Sequence, residues 1–182
     1  MSVFTNPASR SIEQAQAYTR AIIELLGSRD PMEVLRDTPR ALRRAIEGGS
    51  AAQLGAPEAP GKWSVAQVLQ HLADSELVWG FRLRMVLAAD RPALTGYDQD
   101  RWAERFHYEE ADAAEALDQF TILRRANLRM LDRMTPADLE RVGLHSERGE
   151  ESVAHMIQLD AGHDLLHLRQ IERIRRAIGS TS

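Results

Sequence analysis

Residues 156–178 read MIQLDAGHDLLHLRQIERIRRAI, and one stripe within them indicates both the fold class and the position of a site. Positions three or four residues apart share one face of an α-helix. Here that face begins and ends with apolar side chains but carries three ionisable ones at its centre. The stripe consists of Met156, Asp160, His163, His167, Ile171, Ile174 and Ile178. Burying unpartnered ionisable groups costs several kcal/mol, so the polar centre predicts a binding site inside a helical core.

A second polar interruption occurs at His71, on an earlier helical stretch. Ser64 followed three residues later by Gln67 forms a capping-box pattern, which predicts a long helix starting there. His71 lies beside the apolar positions of this helix. If the two helices pack side by side, His71 converges with His163 and His167. Three neutral imidazoles can hold a divalent transition metal and leave coordination positions open, as catalytic sites do.

Three carboxylates lie near these imidazoles along the predicted helices. Asp74 follows His71 by three residues and could accept a hydrogen bond from its ring. Asp160 could do the same for His163, or accept a proton near bound water. Asp164 points about 100° away from His163 around the helix axis, so Asp160 is the favoured one of the two candidate catalytic carboxylates.

The other histidines are predicted to have no ligand role. His107 and His145 lie in or beside loops and are expected to be solvated. His155 is one position off the stripe, which is typical of a boundary residue. Asn127, on the third long helix, could either reach the pocket or face solvent, and its spacing allows both.

Two further features allow more than one interpretation. The apolar face of the N-terminal helix could pack internally or against a partner; it consists of Ile12, Tyr18, Ile22 and Leu25. The loop at 97–102 mixes aromatic residues with carboxylates and could form a pocket rim. The favoured interpretation of that loop is an anchored connection, with Trp102 inserted into the end of the bundle.

Length and composition are typical of one globular domain. The 182 residues are 43% hydrophobic and 27% charged, and the net charge of −4 gives no sign of a nucleic-acid or membrane partner. The absence of cysteine excludes disulfides, an internal thiolate nucleophile and cysteine-based zinc sites. No signal-peptide pattern and no membrane-spanning apolar stretch is found, so a cytoplasmic location is expected.

Capping and breaker residues divide the chain into predicted helices, and β-alternation is absent over any useful length. Residues 48–62 and 90–108 are predicted loops, and 135–141 a short helical turn. The long helices are predicted at about 11–26, 31–47, 64–89, 109–134 and 151–178. This pattern predicts an all-α fold, a four-helix bundle with an additional N-terminal helix.

Three segments resemble a known family. Residues 60–76, PGKWSVAQVLQHLADSE, resemble the first-histidine segment of the DinB/YfiT-like metalloenzymes. Residues 161–171, AGHDLLHLRQI, resemble their closing HxxxH helix, and residues 96–102, GYDQDRW, are similar to one branch of that family. The resemblance covers about residues 31–178 and leaves 1–30 as an N-terminal helix and lead-in.

The resemblance implies a DinB/YfiT-type bundle, a homodimer, and a divalent ion on His71, His163 and His167. Zinc or nickel is the expected ion, with iron and manganese as further candidates. Relatives in the family include S-transferases that use bacillithiol or mycothiol, and mycothiol-dependent maleylpyruvate isomerases. We therefore expect a metal-dependent transferase that uses an external low-molecular-weight thiol and a small-molecule substrate. The alternatives are a hydrolase with a metal-activated water, and a non-catalytic dimer that binds a small molecule or stores a metal.

Overall fold

The computed structural model describes residues 12–179, with side chains from residue 14 onward. Most of this part is helical, and three short strands form one small sheet. The helices are α1 (Ile12–Glu24), α2 (Pro31–Ile46), α3 (Ala51–Gly55), α4 (Val65–Ala88), α5 (Gln99–Arg105), α6 (Ala113–Leu131), α7 (Pro136–Leu139) and α8 (Val153–Gly179). The strands are β1 (Ala93–Leu94), β2 (Val142–His145) and β3 (Gly149–Ser152), and a 3-10 turn covers Tyr108–Glu110.

Side-chain caps begin two of the long helices at the predicted residues. Ser64 Oγ accepts a hydrogen bond from the Gln67 backbone N–H, and Gln67 Oε1 accepts one from the Ser64 N–H, at 3.2 and 2.9 Å. Asp30 accepts hydrogen bonds from two backbone N–H groups in the first turn of α2, and Pro31 occupies the first helical position. The predicted starts of α2 and α4 are therefore confirmed. The predicted cap of α1 at Ser11 lies outside the described residues.

The main body is a four-helix bundle with an N-terminal helix, as predicted. Helix α4 packs against α6 and α8, and α2 packs against the same two helices, so the four form a closed ring. Helix α1 lies against α8 on the outside of this ring. Among residues 12–179, no helix is both long and apolar enough to cross a membrane.

The predictions for the connections were wrong in four places. The loop at 48–62 contains α3, which Ser50 caps, and the loop at 90–108 contains β1 and α5. Helix α6 starts at Ala113 because Asp112 caps it, so the predicted start at residue 109 was too early. Helix α8 starts at Val153 because the residues before it form β3.

The small sheet contradicts the prediction that β-structure is absent. Strand β2 pairs with β1 in parallel and with β3 antiparallel. These strands are only two to four residues long, and β3 reads GEES, without any apolar residue. Strands this short cannot show the apolar alternation from which strands are predicted.

Two apolar clusters divide the core along the helix axes. One contains Leu72 of α4 with Ile171 and Ile174 of α8. The other contains Trp79 of α4 and Met156 of α8. On both helices a polar segment lies between the two clusters, so the bundle brings these segments together in its middle.

Candidate metal centre

The structure brings His71, His163 and His167 together. The Nε2 atom of His163 lies 3.2 Å from Nε2 of His71 and 3.0 Å from Nε2 of His167. The rings of His71 and His167 have centroids 4.8 Å apart. His71 and His167 are buried and His163 is half-buried, so the cluster opens toward solvent on the side of His163. Three Nε2 atoms therefore share one small space between α4 and α8.

The environment keeps these imidazoles neutral. Burial, reinforced by the nearby His167, lowers the pKa of His71 well below its usual value. Burial and the neighbouring histidines lower the pKa of His163 in the same way. Burial lowers the pKa of His167 to about 4, although its hydrogen bond to Gln170 opposes the shift. At neutral pH the rings therefore present lone pairs, which is the form that binds a metal.

The positions of the hydrogen atoms favour Nε2 as the ligand atom. Nδ1 of His167 lies 2.8 Å from Oε1 of Gln170, and because that oxygen can only accept, the proton is on Nδ1. Nδ1 of His71 is buried and has no partner among the described residues. The Nε2 atom of His71, by contrast, faces the other two histidines, so Nε2 is the atom of this ring that can join a shared site.

The two Nε2 separations that involve His163 fit a divalent ion, and the ligand atoms of all three histidines lie within 4.8 Å of one another. Metal–nitrogen bonds of about 2.0–2.1 Å, at angles between 90° and tetrahedral, place ligand nitrogens about 2.9–3.4 Å apart. The two measured Nε2 separations, 3.2 and 3.0 Å, lie within this range. Three neutral nitrogen donors at this spacing suit zinc, nickel, iron or manganese and leave coordination positions open.

The predicted hydrogen bond from His71 to Asp74 was wrong. Asp74 instead accepts a hydrogen bond from the Tyr108 hydroxyl at 2.5 Å and lies 3.4 Å from the Gln70 amide. Tyr108 is buried, so its hydroxyl needs an acceptor, and Asp74 faces the 3-10 turn that carries it. His71 instead packs against the Trp63 ring, at 5.3 Å between centroids.

A second buried polar cluster, the Arg124 cluster, lies beside the histidines and comprises Arg124, Glu76, Asp160 and Asp164. Arg124 is 1% exposed and donates from Nε to Glu76 at 2.9 Å and from Nη1 to Asp164 at 2.6 Å. Its Nη2 atom donates to Asp160 at 3.1 Å, and its Nη1 atom also donates to the Leu35 carbonyl. Burial alone would lower the pKa of Arg124, but the three carboxylates raise it well above its usual value.

The two candidate catalytic carboxylates therefore face Arg124. Neither Asp160 nor Asp164 has a hydrogen bond to His163, so of the two roles predicted for Asp160 the acceptance of a hydrogen bond from His163 was wrong, and the role of proton acceptor stays a prediction. Asp160 lines the cleft described below, whereas Asp164 is buried behind it. Burial raises the pKa of Asp160 well above its usual value, and the charges of Glu76 and Asp164 add to this rise while Arg124 opposes it. A catalytic role for either carboxylate stays a prediction.

The Arg124 cluster had a detectable sequence signal that the sequence analysis missed. On α6 the core-facing stripe is interrupted by two polar side chains, just as it is on α8. That stripe reads Leu117, Phe120, Arg124, Asn127 and Leu131. Asn127 is buried and donates to Glu76 at 2.8 Å, so it belongs to the interior and does not face solvent.

The remaining histidines divide between solvent and interior. His107 is exposed and His155 is half-buried, as predicted. His145 is only 3% exposed, so its predicted solvation was wrong. Its Nδ1 accepts a hydrogen bond from the Glu147 backbone N–H, and burial together with Arg148 and Arg82 lowers its pKa to about 4.

A cleft leads from the surface to His71 and His163. Helix α1 forms one wall, since Tyr18 and Ile22 line this cleft, so its apolar face packs internally at these positions. Tyr97 also lines the cleft and donates or accepts a hydrogen bond with Ser75 at 3.0 Å. The loop at 97–102 therefore contributes to the cleft wall, and the Trp102 ring packs at an angle of 42° against Tyr97, with 4.5 Å between centroids. Further polar residues in the cleft lining are Arg82, Gln99, Glu147 and Arg148.

Known proteins are similar to this chain in sequence, and one solved structure is similar in fold. The DinB superfamily model matches residues 35–171. "Putative metal-dependent hydrolase YfiT" of Bacillus subtilis is 28% identical over 149 residues, which cover 81% of this chain and 84% of that protein. A protein with the same description from Oceanobacillus iheyensis is 31% identical over 137 residues, covering 75% of this chain and 79% of its own. The solved structure of YfiT, described as a probable metal-dependent hydrolase with an unusual four-helix bundle topology, matches with a TM-score of 0.76. It is 27% identical, and the match covers 82% of this chain and 86% of that one.

Proposed function

This chain belongs to the DinB superfamily, and on that basis we propose that it is a metal-dependent enzyme that joins an external low-molecular-weight thiol to an electrophilic small molecule. The observation that carries the proposal is the convergence of three neutral imidazoles at the inner end of a cleft. His71, His163 and His167 would hold the ion. When bound, the ion supplies Lewis acidity at its open positions, which lowers the pKa of a thiol or a water placed there.

The surrounding residues fix the imidazoles before anything binds. The Gln170 amide orients the His167 ring through Nδ1, and the Trp63 ring packs against His71. Ligands held in position in this way lose little side-chain entropy on binding, which strengthens metal affinity. Helix α1 covers one side of the cleft and limits the access of bulk water.

The state of the nearby carboxylates supports a thiol as the nucleophile. Asp160 and Asp164 accept hydrogen bonds from Arg124, and neither is hydrogen-bonded to His163, so no carboxylate is held at the histidine cluster as a base for a water nucleophile. A thiol, with a pKa near 8.5, loses its proton far more easily than water and needs less help from the protein. Since the chain contains no cysteine, the thiol has to come from outside.

Asp160 is the group best placed to take up or release a proton, because it is the carboxyl that both lines the cleft and contacts Arg124. In the proposed reaction the thiol loses its proton and its sulfur forms a bond to the electrophilic carbon. The leaving group departs with the electron pair of the broken bond, and Asp160 would exchange a proton with one of the reacting groups.

A metal-dependent hydrolase is the second candidate, and the description of the relatives favours it. The same three imidazoles would serve, with water replacing the thiol. Turnover of a panel of activated esters and halides, with and without an added thiol such as cysteine or glutathione, separates the two candidates. Turnover that requires the thiol supports the transferase, and equal turnover without it supports the hydrolase.

Metal content is the first measurement. About one zinc, nickel, iron or manganese ion per purified chain is expected, and none in a variant with alanine at His71, His163 and His167. A metal-free protein that takes up no divalent ion in dialysis would remove both enzyme candidates. The identity of the ion, the homodimer and the cytoplasmic location stay predictions.

A further inference from the structure

The cleft that reaches His71 and His163 also carries two arginines. Arg82 projects from α4, and Arg148 projects from the turn between β2 and β3. Both side chains line the same cleft as the two histidines. Positive side chains in a partly dehydrated cleft bind anions more strongly than they would at an open surface.

Arg82 has no carboxylate partner in the described part of the chain. Its Nη2 atom donates to the Thr95 carbonyl, and no carboxylate oxygen of residues 14–179 lies within 4.0 Å of its guanidinium nitrogens. Burial, reinforced by the nearby charge of Arg148, lowers the pKa of Arg82 to about 10. A half-buried guanidinium without a counter-ion is costly, and an incoming anion would relieve that cost.

Arg148 is held in position by an ion pair with a buried residue. Its Nε and Nη2 atoms donate to the two carboxylate oxygens of Glu151 at 2.5 and 2.8 Å, and Glu151 is 1% exposed. This two-point contact fixes the guanidinium, and Arg148 also belongs to the cleft lining. Arg148 is therefore pre-positioned, so binding would immobilise few further bonds.

The other polar groups of the cleft offset these charges only in part, because the Glu151 and Glu147 carboxylates act to raise the pKa of Arg82 but are outweighed by burial and by Arg148. Glu147 also lines the cleft, but its carboxylate packs over Gly96, where an added Cβ would lie 2.5 Å from Oε1, and it forms no ion pair with either arginine. Burial raises the pKa values of Tyr18 and Tyr97, so both phenols stay neutral. Of the two arginines in the cleft lining, Arg82 is therefore the one without a carboxylate partner among the described residues. A bound divalent ion would add further positive charge to the cleft.

We propose that the small-molecule substrate carries a carboxylate, which Arg82 and Arg148 bind while its reactive part meets the histidine cluster. The planar guanidinium forks match the two oxygens of a carboxylate. This inference rests on the proposed function, because it places the reactive part of the substrate at the metal positions. It assigns the two arginines to substrate recognition and leaves the three histidines as the residues that would hold the ion.

Two hydroxamates of equal chain length test the inference by binding alone. Hydroxamates bind divalent ions, so N-hydroxybutanamide is the neutral probe and N-hydroxysuccinamic acid, with a terminal carboxylate, is the anionic probe. Both are titrated calorimetrically into the zinc-loaded full-length protein. We expect the anionic probe to bind roughly tenfold or more tightly than the neutral one, as a charge-assisted contact contributes.

Substitution of the arginines should remove this preference. Arg82→Met and Arg148→Met should each reduce the ratio of the two Kd values, and the double variant should bring it close to one. The neutral probe should bind all variants with unchanged affinity, which also shows that they are folded and loaded. Arg125→Met is the control, because Arg125 is an exposed arginine that is not part of the cleft lining; it should keep the preference.

The two possible failures are distinguishable. Equal binding of both probes to the unsubstituted protein would overturn the carboxylate inference while leaving an open metal site. No binding of either probe to a protein that carries zinc would show a closed metal site, and would overturn the proposed function together with the inference.

Discussion

The histidine cluster and the Arg124 cluster lie side by side in one bundle, yet they differ in how their polar atoms are satisfied. In the Arg124 cluster, the guanidinium contacts three carboxylates and a backbone carbonyl, and Asn127 binds the remaining oxygen of Glu76. In the histidine cluster, three Nε2 atoms face each other and Nδ1 of His71 has no partner in the described residues. A polar cluster whose charges are all paired can serve as scaffold, whereas three neutral imidazole nitrogens that face one another are arranged to bind a shared ligand.

The largest expected effect is the loss of stability that follows when the Arg124 cluster is disrupted. Arg124→Met removes the only positive charge of its cluster and leaves Glu76 and Asp164 buried without compensation. Removing one partner of a buried ion pair costs about 3–5 kcal/mol, so the free energy of unfolding of the metal-free protein should fall by that amount. Urea denaturation followed by circular dichroism measures it.

The neighbouring residue provides the control for this experiment. Arg125 is exposed and adjacent in the sequence, so Arg125→Met should change the free energy of unfolding by less than about 0.5 kcal/mol. A loss below about 1 kcal/mol in Arg124→Met would mean that the Arg124 cluster does not stabilise the fold.

The second prediction concerns metal binding by the histidine cluster. Zinc at about 100 times its Kd should stabilise the protein by about 2.7 kcal/mol, because the ion binds the folded chain alone. His71→Ala should abolish this stabilisation and the bound metal, since two imidazoles of one helix remain. Thermal unfolding with and without zinc, beside elemental analysis, measures both. A zinc-dependent shift that persists in the variant would place the ion elsewhere.

The histidine cluster could be predicted from sequence for a local reason. His163 and His167 are four residues apart on one helix, and His71 interrupts a second apolar face, so residue type and period alone indicate their direction. The Arg124 cluster depends on α4, α6 and α8 being neighbours, which no local pattern specifies. Its members could have been found only by treating Arg124 and Asn127 as the same kind of interruption on α6.

The cleft wall was less predictable still. Arg82 and Arg148 are two of 23 basic residues, and nothing in their local sequence separates them from solvated ones. Arg148 reaches the cleft because β2 and β3 form a hairpin, and β2 is anchored to β1 through a bond from the Leu144 N–H to the Pro92 carbonyl. The contacts between β1 and β2 join residues about fifty positions apart, which is beyond the range over which sequence periodicity predicts a contact.

The third prediction concerns His145, a buried histidine that lies outside the histidine cluster. Its Nε2 is also buried without a described partner, but no second imidazole faces it, so it should behave as a buried base and not as a ligand. Its pKa is lowered from 6.5 to about 4, chiefly by burial, so its neutral form is favoured in the folded state. The stability that depends on it is present above pH 6.5 and is lost as the pH falls toward 4.

This pH dependence can be isolated with one substitution. His145→Asn keeps an acceptor for the Glu147 N–H but cannot titrate. When the pH falls from 7 to 4.5, the free energy of unfolding of the metal-free protein should drop by about 2 kcal/mol more than that of this variant. The lowering of the His145 pKa from 6.5 to about 4 sets an upper limit of about 3 kcal/mol on this difference. Parallel pH profiles of the two proteins would show that His145 is solvated in solution.

The smallest expected effect concerns the hydrogen bond between His167 and Gln170, which orients one ring of the histidine cluster. Gln170 accepts a hydrogen bond from His167 Nδ1 at 2.8 Å and thereby turns Nε2 toward the other rings. Gln170→Leu keeps the size of the side chain but removes the acceptor, so zinc affinity should fall about tenfold, with the stoichiometry unchanged. Gln170→Glu keeps an acceptor and should retain affinity, which separates orientation of the ring from packing. Equal zinc affinity in the leucine variant would mean that the bundle alone orients His167, and that the histidine cluster is as fully pre-positioned by packing as the Arg124 cluster is by its ion pairs.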